Sequence, residues 1–319
     1  MVKRFHILMF CVLLSFFVAC GSKNTFYQTP NNGFTRIPYW GWIKQKVLLM
    51  TSTESCLETM AVHSNNPVYR AMAFEKLAVK RNPKCYDILL AVLKDTSSFD
   101  VQWYDMVFNT DVASFDLQVA EDDPQLFSEE QRYHIDSVVV FGDSLDHLDR
   151  LPSVTRLYGM DGVYDRVRNL CMDGDSNLLS ALAVYKNPQD IPLVTKALLG
   201  MEGVDDSEDA FEQMEMSENA LAAIAMWRDE AFTPALEELR DDLVTHLRYS
   251  GVKTLYEIVM AYDNEWAYQF IEDMFKDREK EMNRYSEALY QAFYEGGQRP
   301  RFLPLVEKYG ERPLEWGDE

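Results

Sequence analysis

The segment LAVKRNP, residues 77–83, recurs as LAVYKNP at residues 182–188, an offset of 105 residues or three periods of 35. In each copy an apolar run precedes an Asn-Pro pair, and a second apolar segment follows it. Proline disfavours helical geometry at the preceding residue and cannot donate a hydrogen bond within a helix. Each copy therefore predicts the end of one helix, a turn and the start of another.

Helical pairs of the same outline continue toward the C-terminus. An aromatic residue ends the first helix of each pair, at intervals of 42, 35 and 32 residues: Tyr185, Trp227, Tyr262 and Tyr294. A proline lies in the first turn of the second helix, where its missing N–H costs little: Pro192, Pro234 and Pro304. Periods of 30–45 residues built from two helices are typical of stacked helical repeats. We predict an all-α fold, in which the four aromatics either pack between repeats or line a groove.

Residues 66–77 resemble the second helix of a HEAT repeat. That family has an acidic or amide residue in the turn, an apolar-Arg pair, and then Ala and Leu three and seven residues after the arginine. Here these are Asn66, the pair Tyr69-Arg70, Ala73 and Leu77. The match covers one repeat closely and the others in outline. The resemblance implies a HEAT-like α-solenoid of stacked helical hairpins.

The stretch from about 98 to 127 departs from the helical period. Apolar and polar residues alternate twice, around Phe99, Val101 and Trp103 and around Phe115, Leu117 and Val119. This period of two predicts a short extended or β-hairpin insertion near 98–127. The sequence Ser128-Glu129-Glu130-Gln131 then has the form of a capping box, and predicts a helix from there to about Val140.

The N-terminus has the organisation of a signal peptide. Lys3 and Arg4 precede a 13-residue apolar run, Ile7 to Ala19, which is too short to span a bilayer. The residues from Phe17 to Ser22 resemble the lipobox of bacterial lipoproteins, which are cleaved before a cysteine that becomes lipidated. The resemblance implies that Cys20 carries a diacylglyceryl group and an amide-linked acyl chain such as palmitate. An ordinary secretory signal and a short uncleaved anchor are the alternatives.

This interpretation divides the chain into three parts. Residues 1–19 are the signal peptide, 20–45 a lipidated N-terminus and tether, and 46–319 the HEAT-like repeat domain with its insertion. We expect a bacterial envelope protein held to a membrane by Cys20, with the outer membrane favoured and the folded domain periplasmic or surface-exposed.

The charge of the chain limits its partners. The net charge is −21. It becomes −23 when cleavage of the signal peptide removes Lys3 and Arg4. Such a chain is repelled by nucleic acid and by anionic lipid. We therefore expect no nucleic-acid partner, membrane attachment through the lipid alone, and a protein or peptide partner that is basic.

Three cysteines remain in the mature chain besides Cys20: Cys56, Cys85 and Cys171. They do not form the closely spaced pairs of a disulfide framework or a zinc site. A Cys56–Cys85 bridge is one interpretation, if adjacent helices bring the two together. Buried free thiols that pack as small hydrophobic groups are the other.

One segment resembles a catalytic motif. Residues 138–145, VVVFGDSL, are similar to the first block of the GDSL esterases, whose serine would be Ser144. That chemistry needs a histidine base and oxyanion donors. The family's late Asp-x-x-His motif is missing here, since His246 has Asp242 four residues before it rather than three. We favour a helix that ends at Phe141, with Gly142 as its terminator.

The acidic clusters and histidines form no familiar metal site. Asp173-Gly174-Asp175-Ser176-Asn177 starts like an EF-hand loop but lacks the glycine and glutamate that complete one, so we predict an inter-helix turn capped by Asp175 or Ser176. A weak cation site could be formed by Asp143, Asp146 and Asp149. The histidines show no ligand pairing: His63, His134, His147 and His246. We expect neither a metal nor a cofactor.

The function that we expect is that of a membrane-anchored lipoprotein acting as a protein-binding scaffold in the bacterial cell envelope, without enzymatic activity. The only modified site residue is Cys20. The alternatives are an envelope esterase that uses Ser144 and a purely structural envelope component.

Overall fold

The computed structural model describes residues 26–28, 51–103, 106–142, 145, 147–200, 207–241, 247–276 and 283–312. Within them it contains fifteen α-helices, four short 3₁₀ turns and one three-stranded sheet. The all-α prediction is confirmed, with a small sheet added. None of these helices combines the length and apolar character needed to cross a bilayer. The chain divides into two compact units, residues 1–149 and 150–319, where we predict one domain over 46–319 from sequence.

The first unit contains five helices and the sheet. The helices are α1 (Glu54–His63), α2 (Pro67–Val79), α3 (Cys85–Val92), α4 (Val112–Asp122) and α5 (Glu129–Phe141). The strands are β1 (Phe26–Gln28), β2 (Ser98–Trp103) and β3 (Met106–Asp111).

Local sequence signals set the helix starts in this unit. The Asn66 side chain caps α2 by accepting a 2.9 Å hydrogen bond from the Val68 N–H. The predicted capping box is confirmed, because Ser128 and Gln131 exchange side-chain and backbone hydrogen bonds at the start of α5. That helix ends at Phe141, the end predicted from Gly142 and one residue beyond the end predicted from the capping box.

The predicted hairpin is confirmed for residues 98–111 only. Strands β2 and β3 pair antiparallel, with Phe99 opposite Thr110. The prediction of extended structure around Phe115, Leu117 and Val119 is wrong, since these residues lie in α4. The Asp111 carboxylate caps that helix by accepting a 2.8 Å hydrogen bond from the Ser114 N–H. The buried positions of α4 follow a helical spacing: Val112, Ala113, Asp116, Leu117 and Ala120.

Strand β1 lies inside the predicted tether. Phe26 to Gln28 pair parallel with β2, and Phe26 lies opposite Asp100. The tether prediction for 20–45 did not anticipate this pairing, and the other residues of that range lie outside the described part of the chain.

One apolar cluster holds the helices of the first unit together. Its central side chains are completely buried: Leu57, Ala61, Phe74, Leu77, Leu89 and Val139. A second, smaller cluster beneath the hairpin joins Phe99 to Val68 of α2 and Val112 of α4. Full burial of a side chain of this size stabilises the fold by about 1.5–3 kcal/mol, so these contacts fix both α4 and the hairpin on α2.

The second unit is built from helices alone in its described residues. They are α6 (Leu151–Arg156), α7 (Val163–Met172), α8 (Leu179–Val184), α9 (Ile191–Leu199), α10 (Ser207–Trp227), α11 (Thr233–Asp241), α12 (Tyr249–Tyr262), α13 (Glu265–Lys276), α14 (Asn283–Glu295) and α15 (Leu303–Tyr309). A 3₁₀ turn precedes α8, α9, α11 and α15: Ser176–Leu178, Pro188–Asp190, Glu230–Phe232 and Pro300–Phe302.

Alternate helices of the second unit form a row. Helix α10 contacts both α8 and α12, and α12 contacts both α10 and α14. Helix α9 also contacts α11, and α13 contacts α15. The first helices of successive pairs therefore lie side by side, and the C-terminal parts of α10, α12 and α14 approach one another.

Candidate functional site

The pairs turn with the same backbone geometry. The first helix is followed by a residue in the left-handed region, with φ of 49° at Lys186, 56° at Arg228 and 49° at Asp263. A side-chain oxygen of the next residue then accepts a backbone N–H hydrogen bond: Asn187, Asp229 and Asn264. Arg81 and Asn82 repeat this arrangement in the first unit.

This turn stops one helix and starts the next. A left-handed conformation costs a non-glycine residue about 1–2 kcal/mol, and the capping hydrogen bond offsets part of that cost. The recurrence was visible in the sequence as the Arg-Asn and Lys-Asn pairs before proline. The positive φ of the residue that follows the first helix could not be predicted from the sequence.

A cleft of about 180 Å³ lies at the edge where the first helices end. It is formed by the C-terminal parts of α10, α12 and α14 and by the segment that follows α14. Buried apolar side chains line it: Ile258, Met260 and Ala292. Its polar lining includes Arg228, Arg299 and Glu257.

Two glycines shape one wall of the cleft. A Cβ atom at Gly296 would lie 2.6 Å from the Ala292 carbonyl oxygen and 3.1 Å from Cγ of Glu257. Gly297 has a φ of +90°, a region that favours glycine. The wall at these two positions is therefore made of backbone.

The two arginines of the cleft have no carboxylate partner among the described residues. Arg228 donates from Nε to the Ala225 carbonyl at 2.9 Å, which closes the end of α10. Arg301, only two residues after Arg299, does have carboxylate partners. Its guanidinium lies 3.5 Å from Asp263 and 3.5 Å from Glu265.

The carboxylate that lines the cleft, Glu257, is shared with a lysine. Lys253 Nζ lies 3.6 Å from Glu257 Oε1 and 2.6 Å from Glu295 Oε2. The hydrogen bond to Glu295 raises the pKa of Lys253 above its usual value, so this lysine stays charged. Lys253 thus offsets part of the negative charge that Glu257 brings to the cleft.

The cleft therefore combines two guanidinium groups with an apolar floor. Guanidinium groups bind carboxylates and phosphates through paired N–H donors. An anionic group of small size is the chemistry that this arrangement can hold.

The predicted lipidation residue, Cys20, and the serine of the esterase-like segment, Ser144, lie outside the described part of the chain. Asp143 and Asp146 of the suggested cation site also lie outside it. The residues before Gly142 belong to helix α5, whereas a buried strand precedes the serine in the esterases. Gly142 ends that helix as predicted, but through steric need at an ordinary φ of −68°, since a Cβ would clash with the Val138 carbonyl.

The EF-hand-like segment is an inter-helix turn, as predicted. Gly174 has a φ of 111°, and Asp175 directly precedes the 3₁₀ turn at Ser176–Leu178. The prediction that Asp175 caps this turn is wrong, because its side chain makes no capping hydrogen bond. Asp175 lies 3.8 Å from Arg150. Its carboxylate therefore contributes to an ion pair within the second unit.

The three described cysteines are free. Cys85 and Cys171 are buried, as predicted for packing thiols, but Cys56 is exposed. Burial raises the pKa of Cys85 to about 11 and that of Cys171 to about 12, with nearby carboxylates adding to the effect.

The four repeat-equivalent aromatics differ in burial. Trp227 is buried and meets Phe232 edge to face at 5.3 Å. Tyr185 and Tyr262 are half-buried, while Tyr294 is 43% exposed. The core prediction holds for Trp227, and Tyr294 lies instead on the surface near the cleft, two residues before Gly296.

No three described His, Cys, Asp or Glu side chains are grouped so that they could hold a metal ion. Among the histidines, the His134 ring is hydrogen-bonded to the Tyr86 hydroxyl.

The two arginines of the cleft were missed by sequence reasoning. Arg228 has a local signal, because it stands between the repeat-ending Trp227 and the capping Asp229. Arg299 has none, since its position depends on how the segment after α14 folds back.

No protein-family model, curated protein or solved structure matches this chain. Its function must therefore be inferred from its own residues.

Proposed function

We propose that this protein is a bacterial envelope lipoprotein, anchored through Cys20, whose HEAT-like helical hairpins form a solenoid that binds a protein or peptide partner. The observation that carries the proposal is the recurrent turn at Lys186, Arg228 and Asp263. Equivalent turns make successive hairpins equivalent, and stacked equivalent hairpins offer an extended edge for binding.

Exposed apolar side chains along that edge support partner binding. Val184 and Met226 occupy the same position in their hairpins, directly before the repeat-ending aromatic, and are 37% and 49% exposed. Tyr294 adds a further exposed ring. Apolar side chains grouped beside a charged cleft are typical of interaction surfaces.

The anchor is supported by the lipobox-like sequence and by charge. A chain with a net charge of −21 is repelled by an anionic bilayer, so acyl chains on Cys20 supply the attachment. Stable anchoring requires two or more such chains, at about 0.8 kcal/mol for each buried CH₂ group. The same charge favours a partner that is basic as a whole.

Site-specific photocrosslinking in cells tests the partner. A photoreactive residue at Met226 is expected to give a discrete crosslinked species, and one at Glu238, an exposed position of α11, is expected to give none. A discrete species from Glu238 but not from Met226, or no species from either, would contradict binding at this edge.

Labelling with an alkynyl fatty acid tests the anchor. Incorporation that is lost in Cys20→Ser is expected, and unlabelled protein would contradict the lipoprotein assignment.

Reaction with a serine-directed fluorophosphonate tests the esterase alternative. A reaction that is lost in Ser144→Ala would show a hydrolase instead of a scaffold.

A further inference from the structure

We infer that the cleft between Arg228 and Arg299 is a carboxylate-binding site that takes an acidic side chain or the chain end of the partner. This inference rests on the proposed function, since it names the chemical group that the partner would present. It also adds a requirement that net charge alone does not suggest, because a basic partner still has to offer one carboxylate.

Arg228 and Arg299 differ from Arg301 in their carboxylate partners. In a chain with 52 acidic and 31 basic residues, arginines are expected to find carboxylates, and Arg301 finds two. Arg228 and Arg299 line the same cleft and are paired with no carboxylate in the described residues. Because both arginines line this cleft, a carboxylate bound there could accept hydrogen bonds from their guanidinium N–H groups.

The cleft is small, with a volume of about 180 Å³. Sites for whole small molecules are larger, about 300–1,000 Å³. The cleft therefore fits one residue of a peptide rather than a cofactor or a drug-sized ligand.

The charges in the cleft favour a singly charged ligand. Glu257 also lines the cleft, and Lys253 neutralises it only in part because that lysine is closer to Glu295. A doubly charged phosphate meets more repulsion from Glu257 than a singly charged carboxylate does. The apolar floor of Ile258, Met260 and Ala292 suits the methylene or methyl groups next to a carboxylate.

Nuclear magnetic resonance of the whole purified protein, labelled with ¹⁵N-arginine, tests the site. The probes are N-acetylglutamate N-methylamide, with a side-chain carboxylate, N-acetylalanine, with a chain-end carboxylate, and N-acetylalanine N-methylamide, with no charge. We expect saturable shifts of the Arg228 and Arg299 Nε–H signals with a charged probe and none with the uncharged one. The stronger of the two charged probes identifies the source of the carboxylate.

Variants separate the site from general electrostatics. Arg228→Ala and Arg299→Ala are each expected to weaken the binding of the charged probe about tenfold or more. Arg301→Ala is the matched control and is expected to leave it unchanged. Arg228→Lys, which keeps the charge and much of the side-chain length, guards against a folding defect and is expected to bind with intermediate strength.

Equal shifts with the uncharged probe, or equal weakening by Arg301→Ala, would overturn the carboxylate site. Partner capture at Met226 without probe binding would overturn only this inference. Probe binding without partner capture would instead overturn the scaffold function and leave the site standing.

Discussion

The Tyr262 hydroxyl donates a 2.8 Å hydrogen bond to the backbone carbonyl of Asp229. Tyr262 ends the first helix of one hairpin, and Asp229 lies in the turn of the preceding hairpin, where its side chain accepts from the Ala231 N–H. Burial raises the pKa of Tyr262 to about 12, with the Asp229 charge adding to the effect. The hydroxyl therefore remains a donor at physiological pH, and it fixes the end of one hairpin to the turn of another.

Tyr262→Phe is expected to destabilise the second unit by about 1 kcal/mol, because the variant loses this hydrogen bond while the ring stays in place. Thermal unfolding followed by circular dichroism measures the change. Tyr294→Phe is the matched control, since its ring is exposed, and should change stability by less than about 0.5 kcal/mol. Equal effects of the two variants would argue against the hydroxyl as a link between hairpins.

Arg70→Met is expected to destabilise the first unit by about 3–5 kcal/mol. Arg70 Nε lies 2.7 Å from Asp95 Oδ2, and the arginine side chain is only 9% exposed. The variant removes the guanidinium from the Asp95 carboxylate, whose side chain is only 20% exposed and which keeps its hydrogen bond from the Ser97 N–H. Urea unfolding measures the loss.

Arg81→Met is the control for that measurement. Arg81 also forms an ion pair, at 3.2 Å from Asp123, but its side chain is 53% exposed. Exposed pairs contribute about 1 kcal/mol or less. A loss in Arg70→Met as small as that in Arg81→Met would show that the buried pair adds little.

Asp116→Asn is expected to make the first unit more stable at neutral and higher pH. Asp116 is completely buried, and neither carboxylate oxygen has a hydrogen-bond partner among the residues that the structure describes. Desolvation raises its pKa well above the usual value; Asp95, Glu75 and Asp111 raise it further, while Arg70 opposes them.

The sign of the pH dependence follows from this raised pKa. Because the folded protein holds the proton more tightly than the unfolded chain, stability is greatest below the unfolded pKa near 3.9 and falls as pH rises through the folded pKa. Every tenfold difference between the proton affinities of the folded and unfolded states accounts for about 1.4 kcal/mol of this loss. Melting temperatures of parent and Asp116→Asn should coincide near pH 3.5 and diverge as pH increases, and parallel curves would disprove this role of Asp116.

Native protein is expected to react with a thiol reagent at Cys56 and not at Cys85 or Cys171. Thiolate is the reactive form, and burial with raised pKa suppresses it at the latter two positions. Mass spectrometry after brief iodoacetamide treatment locates the label. As a control, Cys56→Ser should show no label at any of these three positions. Rapid labelling of Cys171 in the folded protein would contradict its burial.

The helices were predictable from sequence where the signal was local. The Asn-Pro pairs at residues 82–83 and 187–188 marked helix breaks, and Ser128 with Gln131 marked a helix start. Hairpin strand β2 was also predictable from its alternating pattern. Each of these features depends on residues within one turn of the chain.

The failures involve contacts between distant residues. The alternation of Phe115, Leu117 and Val119 suggested a strand, but the Asp111 cap and packing on α2 and α3 make this segment helical. The pairing of β1 with β2 joins residues more than 70 positions apart, with no local signal. The cleft depends on three helices lying side by side, so its two arginines could not be associated from sequence.

Strand β1 has a consequence for how the molecule would sit at a membrane. Phe26 follows Cys20 by only six residues, and a fully extended segment of that length reaches only about 20 Å. With acyl chains on Cys20, as we propose, strand β1 and the hairpin paired with it would lie close to the lipid headgroups. Energy transfer from a dye on Cys56 to labelled lipids measures that distance, and negligible transfer would refute it. The first unit would then lie close to the membrane.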